Sequence, residues 1–291
     1  AESQMLEKAN VRLNDAAIQV SEWFRKKGFR TCILKGQGNA WMYPNPYSRT
    51  PGDIDIWVEG GDKRVISFVR SISPHEKACY HHIEFPSYKG VEVEVHYRPS
   101  FLLCFWHNRK LQKYYERVKE EQFSHRVMLG KEGEVAIPTA EFNVIFQLTH
   151  IFSHLMNEGI GLRQLLDYYY VLISDDLLLI RDRVQKKLKE LGLWKFAGGI
   201  MYIMQEVFGM PASQLIIPPN EKYGKFVLNE VLEAGNFGKH DERYWFGKSK
   251  LGHNLQRVYR DIRLVTYFPA EALCEPIFRT WHFFWRMKNK K

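Results

Sequence analysis

Arg49-Thr-Pro-Gly-Asp53-Ile-Asp55-Ile-Trp-Val58 is the stretch that decides the fold. Pro51 and Gly52 break the preceding loop, and the run that follows alternates acid with aliphatic residue. On a β-strand successive side chains point to opposite faces, so Asp53 and Asp55 project together while Ile54 and Ile56 turn toward a core. Their Cα atoms then lie roughly 6.5–7 Å apart, from a rise of about 3.3 Å per residue. Two carboxylates at that spacing can share divalent cations. Unpaired acids side by side on a half-buried strand repel, so the pair calls for a counter-charge, and a metal ion supplies it. Taken alone, the pair also fits a solvated strand face.

The neighbouring stretches decide between these readings. Upstream lies Thr31-Cys-Ile-Leu-Lys35-Gly36-Gln-Gly38, an apolar strand entering a glycine turn with a lysine at its rim. Downstream, Val91-Glu-Val-Glu-Val-His96-Tyr alternates strictly and places Glu92, Glu94 and His96 on one face. This order resembles the nucleotidyltransferase superfamily typified by DNA polymerase β. It is more closely similar to a bacterial family of uncharacterised nucleotidyltransferases, through Leu34-Lys35-Gly36, the Tyr/Pro-rich loop Tyr43–Arg49, Asp53–Asp55 and Glu94-Val-His96-Tyr97. The resemblance continues through His154, Leu162-Arg163 and Asp167, and spans roughly residues 30–175.

The resemblance implies an α+β fold with a small mixed-sheet domain, and a metal-dependent transfer of a nucleoside monophosphate from an NTP, ATP among the candidates. It implies Asp53, Asp55 and Glu94 as the catalytic acids and ligands of Mg²⁺ or Mn²⁺, which favour carboxylate oxygens. Glu92 shares the face of Glu94 and stays as the alternative third acid. Nucleotide contacts fall to Lys35, Gly36, Arg49 and Arg163, and supporting roles to His96, His154 and Asp167. Each of these also has a plainer reading. Lys35 can be a strand-end lysine snorkelling to solvent, and Arg49 an ion-pair partner of the carboxylates. Arg163 and Asp167, four apart on a helix, can form an ordinary salt bridge. His96 can serve as base or as partner to a carboxylate, and three nearby acids favour the latter. The wider superfamily carries Gly-Gly or Gly-Ser where this chain has Lys35-Gly36, so phosphate handling differs in detail.

Composition bounds the alternatives. At 291 residues, 45% hydrophobic and 26% charged, the chain reads as an ordinary globular protein of one or two domains. No apolar run approaches the roughly 18 residues of a spanning helix. The polar start Ala-Glu-Ser-Gln lacks a signal-peptide pattern, so a cytoplasmic location is the expectation. Cys32, Cys79, Cys104 and Cys274 include no CxxC and read as reduced thiols. Cys79 with His81 and His82 offers a partial metal cluster, although a polar loop or edge strand is the simpler reading. His150 and His154 share a helix face without the glutamate of HExxH, which excludes a metalloprotease.

Periodicity predicts a helix over 3–27, strands near 31–34, 53–58, 77–85 and 91–97, a helix over 62–73 and another over 101–121. A hairpin follows over 126–137. From Pro138 onward only helical periodicity remains, with helices near 139–157, 161–173, 175–191, 193–208, 221–234, 251–266 and 269–287. Strands first and helices after indicate α+β, with a catalytic domain over 1–138 and a helical domain over 139–291. Residues 239–291 carry 12 Lys/Arg against 5 Asp/Glu, with Ile277, Phe278, Trp281, Phe284 and Trp285 at helical spacing. Docking on the helical domain is the expected use of that stripe, ahead of contact with an anionic membrane or a nucleic acid.

Two further functions compete. A DxD glycosyltransferase needs βαβ units before its DxD, and this chain lacks them. A nucleotide-binding pseudoenzyme on the same fold retains the motifs without turnover. The acceptor is not written in the sequence.

Overall fold

The structure, a computed structural model, describes residues 2–130, 133–174, 177–234 and 250–289. Its contacts divide the chain into two units, one of residues 1–99, 114–142 and 282–291, the other of residues 100–113 and 143–281.

The first unit is built on a mixed sheet. Helix α1 (Glu2–Lys26) leads into β1 (Thr31–Ile33), the single turn α2 (Gln37–Ala40), β2 (Ile54–Val58), α3 (Gly61–Ile72), β3 (His82–Tyr88) and β4 (Val91–His96). The strand order is β1-β2-β4-β3, with β2 and β4 parallel and the other pairs antiparallel. Ile54, Ile56 and Val58 all face one core, joined by Val93 and Val95 of β4 and by Leu13, Ala17, Val20 and Phe24 of α1. Val65 and Val69 of α3 close that core. The opposite face of β2 is also covered: Trp57 lies 4.7 Å from the Phe123 ring and 5.7 Å from that of Phe142. Burial on both faces follows from a central strand with a parallel neighbour. It leaves Asp55, between Ile54 and Ile56, only 1% exposed.

Helix α4 (Phe105–Ser124) and the hairpin of β5 (Arg126–Leu129) and β6 (Gly133–Ala136) follow; two residues of the expected hairpin turn, 131 and 132, lie outside the described residues. The strand expected near 77–85 is displaced to His82–Tyr88. Its register is set by the tight turn at Lys89 and Gly90, both at positive φ, which pairs Tyr88 with Val91 and His82 with His96.

The second unit is helical: most of α5 (Ala140–Asn157), α6 (Leu162–Leu172), α7 (Leu177–Glu190), α8 (Trp194–Glu206), α9 (Glu221–Ala234), α10 (Lys250–Val265) and most of α11 (Pro269–Lys288). Phe152, Phe196 and Phe268 meet at 4.4–5.7 Å in its core. No further strand occurs among the described residues. The architecture is α+β.

The aromatic stripe of α11 does not dock as one face. Phe278 is buried against Phe101, and Trp285 packs on the first unit's core. Ile277 and Phe284 stay 59% and 61% exposed, and Trp281 42%. At about 100° per residue, positions 278 and 285 occupy one narrow stripe and 277, 281 and 284 the next. The rest of the expected basic arm, residues 239–249 and 290–291, lies outside the described residues.

Gly38 fixes how α2 sits on β1. A Cβ there would meet the Ile33 carbonyl oxygen at 2.4 Å, a backbone atom that cannot rotate away. Gly38→Ala is therefore expected to cost about 1–3 kcal/mol of stability, the range for overpacking. Urea unfolding measures it, and an unchanged midpoint would show that α2 moves freely.

Candidate functional site

The site is assembled at the ends of β1, β2 and β4. In the parallel pair Asp55 lies level with Glu94, and His96 is two residues further along the same strand. Lys35 arrives from β1, where Leu34 N–H donates to the Asp55 carbonyl at 2.9 Å. Gly36 makes this approach possible. It holds φ 56° and ψ −109°, and a Cβ would stand 3.2 Å from the Asp53 carbonyl oxygen.

Asp55 is the centre of the arrangement. Its Oδ1 accepts from Lys35 Nζ at 2.9 Å and from His96 Nε2 at 3.0 Å. His96 Nε2 also stands 3.4 Å from Glu94 Oε2, which in turn lies 3.4 Å from His82 Nδ1. Oxygens of Asp53, Asp55 and Glu94 fall within 4.8 Å of one another. Asp53 itself sits just before β2 and is less buried than Asp55.

The electrostatics follow from this crowding. Burial opposes ionisation of Asp55, yet the charges and hydrogen bonds of Lys35 and His96 outweigh it and hold its carboxyl below the usual range. Burial likewise works against a charged His96, but Asp55 and Glu94 push its pKa up to about 9. Lys35 is raised in the same way, burial being overcome by Asp55, Asp53 and Glu94. Asp53 shifts the other way from Asp55. The charge of Asp55, then burial, push it up to about 6 against the pull of Lys35. Burial and the charge of His96 lower His82 to about 4, which leaves it neutral at neutral pH.

The loop before β2 is held by a side chain that periodicity alone does not single out. Asn10 Nδ2 reaches the carbonyls of Leu6, Tyr47 and Arg49 at 2.8–3.0 Å. Its signal is an asparagine on the same stripe of α1 as Leu6, Leu13 and Ala17. Arg49 is thereby buried, its Nη1 donating to Thr50 O at 3.2 Å and lying 4.0 Å from the Cβ position of Gly36. Glu92 is exposed on β4 and outside the carboxylate cluster.

The model of a family described as uncharacterised nucleotidyltransferase matches residues 1–209. This chain belongs to that nucleotidyltransferase family. One solved structure with similarity to it is an antigenic nucleotidyltransferase-like protein from Paracoccidioides brasiliensis, at 14% identity and a TM-score of 0.34, covering 62% of this chain and 90% of that one. No curated protein matches.

Within this member of the family, Lys35, Gly36, Asp53, Asp55, Glu94 and His96 come together in the first unit. Arg163, His154 and Asp167 lie in the second unit. There His154 Nδ1 stands 3.3 Å from Glu158 Oε2 and its ring 4.3 Å from that of His150, Asp167 is buried on α6, and Arg163 is on the first turn of α6. His82 was outside the motif, and its place follows only from the β3–β4 register.

Asp53 yields a pH prediction for the metal-free protein. Its folded pKa of about 6 lies above its ordinary 3.8, so the folded state binds the extra proton between those values. The favourable contribution is complete below pH 3.8 and is lost as pH rises through about 6. Asp53→Asn should therefore melt higher than wild type above pH 6, with the gap closing on acidification. A gap independent of pH from 4 to 7 would contradict the repulsion.

Proposed function

We propose that the chain is a metal-dependent nucleotidyltransferase moving a nucleoside monophosphate from an NTP to an acceptor hydroxyl. The observation that carries this reading is three carboxylates within 4.8 Å of one another, beside a lysine presented by a glycine turn. The donor set suits a hard cation, because Asp53, Asp55 and Glu94 all offer carboxylate oxygen and their mutual repulsion is only partly offset by Lys35 and His96. These three residues would hold Mg²⁺ or Mn²⁺, whose chemistry there is to neutralise charge gathering on the phosphate oxygens.

The protein's own residues set the rest. Lys35 Nζ, now on Asp55 Oδ1, is close enough to the acids to exchange that contact for a phosphate oxygen of a bound triphosphate. Arg49, fixed beside Gly36, adds a second cation on the phosphate side. His96 bridges Asp55 and Glu94 and keeps both carboxylates aimed at the same point. The acceptor oxygen forms a bond to the α-phosphorus as its O–H bond breaks and the proton passes to solvent, and the α–β bridging bond breaks with its electron pair leaving on pyrophosphate. Arg163 is assigned to the nucleotide, and His154 and Asp167 to supporting it, on the family resemblance alone.

Incubation with α-labelled ATP, CTP, GTP and UTP and a panel of hydroxylated acceptors tests the reading. Label is expected to transfer with release of pyrophosphate, and Asp53→Asn to abolish it. Glu94→Gln should lose at least about 100-fold, the scale of removing one charge-stabilising group, while Glu92→Gln keeps most activity. The opposite ranking would move the third acid to Glu92. Nucleotide binding without any transfer would leave a pseudoenzyme.

A further inference from the structure

Residues 77–84 form a tight hairpin whose tip carries Cys79, Tyr80, His81 and His82. Ala78 bridges Ile83, Cys79 N–H donates to the His82 carbonyl at 2.9 Å, and Glu84 N–H to that of Lys77 at 3.1 Å. Cys79 and His82 are therefore opposed across the hairpin, with two residues between them. Every carbonyl of the tip is used. That of Cys79 accepts from the Tyr97 hydroxyl and that of Tyr80 from Arg98 Nη1 at 2.7 Å. The His81 carbonyl accepts from the Tyr97 and Arg98 amides at 3.0 and 3.1 Å. Such pinning fixes the backbone from which the side chains of the tip project.

Those side chains converge. Cys79 Sγ lies 3.4 Å from His81 Nδ1, and His81 Nε2 lies 3.1 Å from His82 Nδ1. One candidate ligand atom from each of the three falls within 4.8 Å of the other two. All three residues are only partly buried, so an ion can reach them from solvent. A thiol and two imidazoles are a poor set for Mg²⁺, which takes oxygen, and a good one for a borderline-soft ion. We infer that Cys79, His81 and His82 form a Zn²⁺ site beside the carboxylate cluster, His82 Nδ1 standing 3.4 Å from Glu94 Oε2, with water in the fourth position. Binding breaks the Cys79 S–H bond and releases that proton to solvent, while the imidazoles bind as neutral ligands. This inference does not rest on nucleotidyl transfer.

Co²⁺ in place of Zn²⁺ gives a test on the full chain under a non-thiol reductant. Wild type is expected to bind one Co²⁺ with visible bands of tetrahedral intensity and a near-ultraviolet thiolate charge-transfer band, all displaced by Zn²⁺ but not by excess Mg²⁺. Cys79→Ser should remove the charge-transfer band, and His81→Ala should keep it while weakening binding by roughly tenfold or more. Asp53→Asn should change neither. The proposal is overturned if wild type shows no charge-transfer band, which needs no variant to fold. It is overturned equally if the band survives in Cys79→Ser, or if Asp53→Asn abolishes Co²⁺ absorption and so places the ion on the carboxylates.

Discussion

A carboxylate that is 1% exposed has to be neutralised where it sits, and that requirement on Asp55 orders the first unit. Neutralisation comes from two directions: Lys35 at the end of β1 and His96 at the end of β4. Both strands must flank β2 for the two cations to reach one oxygen, which is the β1-β2-β4 order observed. Removing one partner leaves the buried charge half compensated, and removing both would strand it, a loss of about 3–5 kcal/mol in general. The motif residues thus have a structural role in the first unit. Lys-Gly, Asp-x-Asp and Glu-x-His hold one another in place.

The site balances two kinds of acid. Asp55 is fully compensated, whereas Asp53 is pushed toward protonation by its neighbour. Glu94 is shared between His96 and His82 and keeps about a third of its side chain exposed. One acid is held charged by its partners while the other two are less fully compensated. This asymmetry explains how a pair of acids two residues apart can be kept in a largely buried place without unfolding it.

Much of this was legible in the sequence, for definite reasons. Strict alternation in Val91–His96, the single acid–aliphatic alternation at Asp53–Ile56 and the Gly36 turn each report a local backbone geometry, and their order pointed to the α+β fold and to the nucleotidyltransferase family that the comparison shows. Helical periodicity located the later helices because a buried stripe repeats along each of them. Contacts between elements left no such trace. Nothing local states that Lys35 and His96 meet on Asp55 Oδ1, that Asn10 clamps the loop to Arg49, or that a shift of β3 to His82–Tyr88 sets His82 opposite His96. Strand periodicity names the face a residue occupies and not what lies across from it. The stripe of α11 failed for a related reason: spacing that fits one face also fits two adjacent ones, and only packing separates Phe278 from Ile277.

The most direct test is whether the acid cluster holds a cation together with nucleotide. Melting temperature, followed in wild type, Asp55→Asn and Glu94→Gln with Mn²⁺ and an NTP added singly and together, reads this through mass action. The account predicts a rise in wild type that needs both additions and disappears in either variant. An equal rise in all three proteins would place the ligands elsewhere and contradict it.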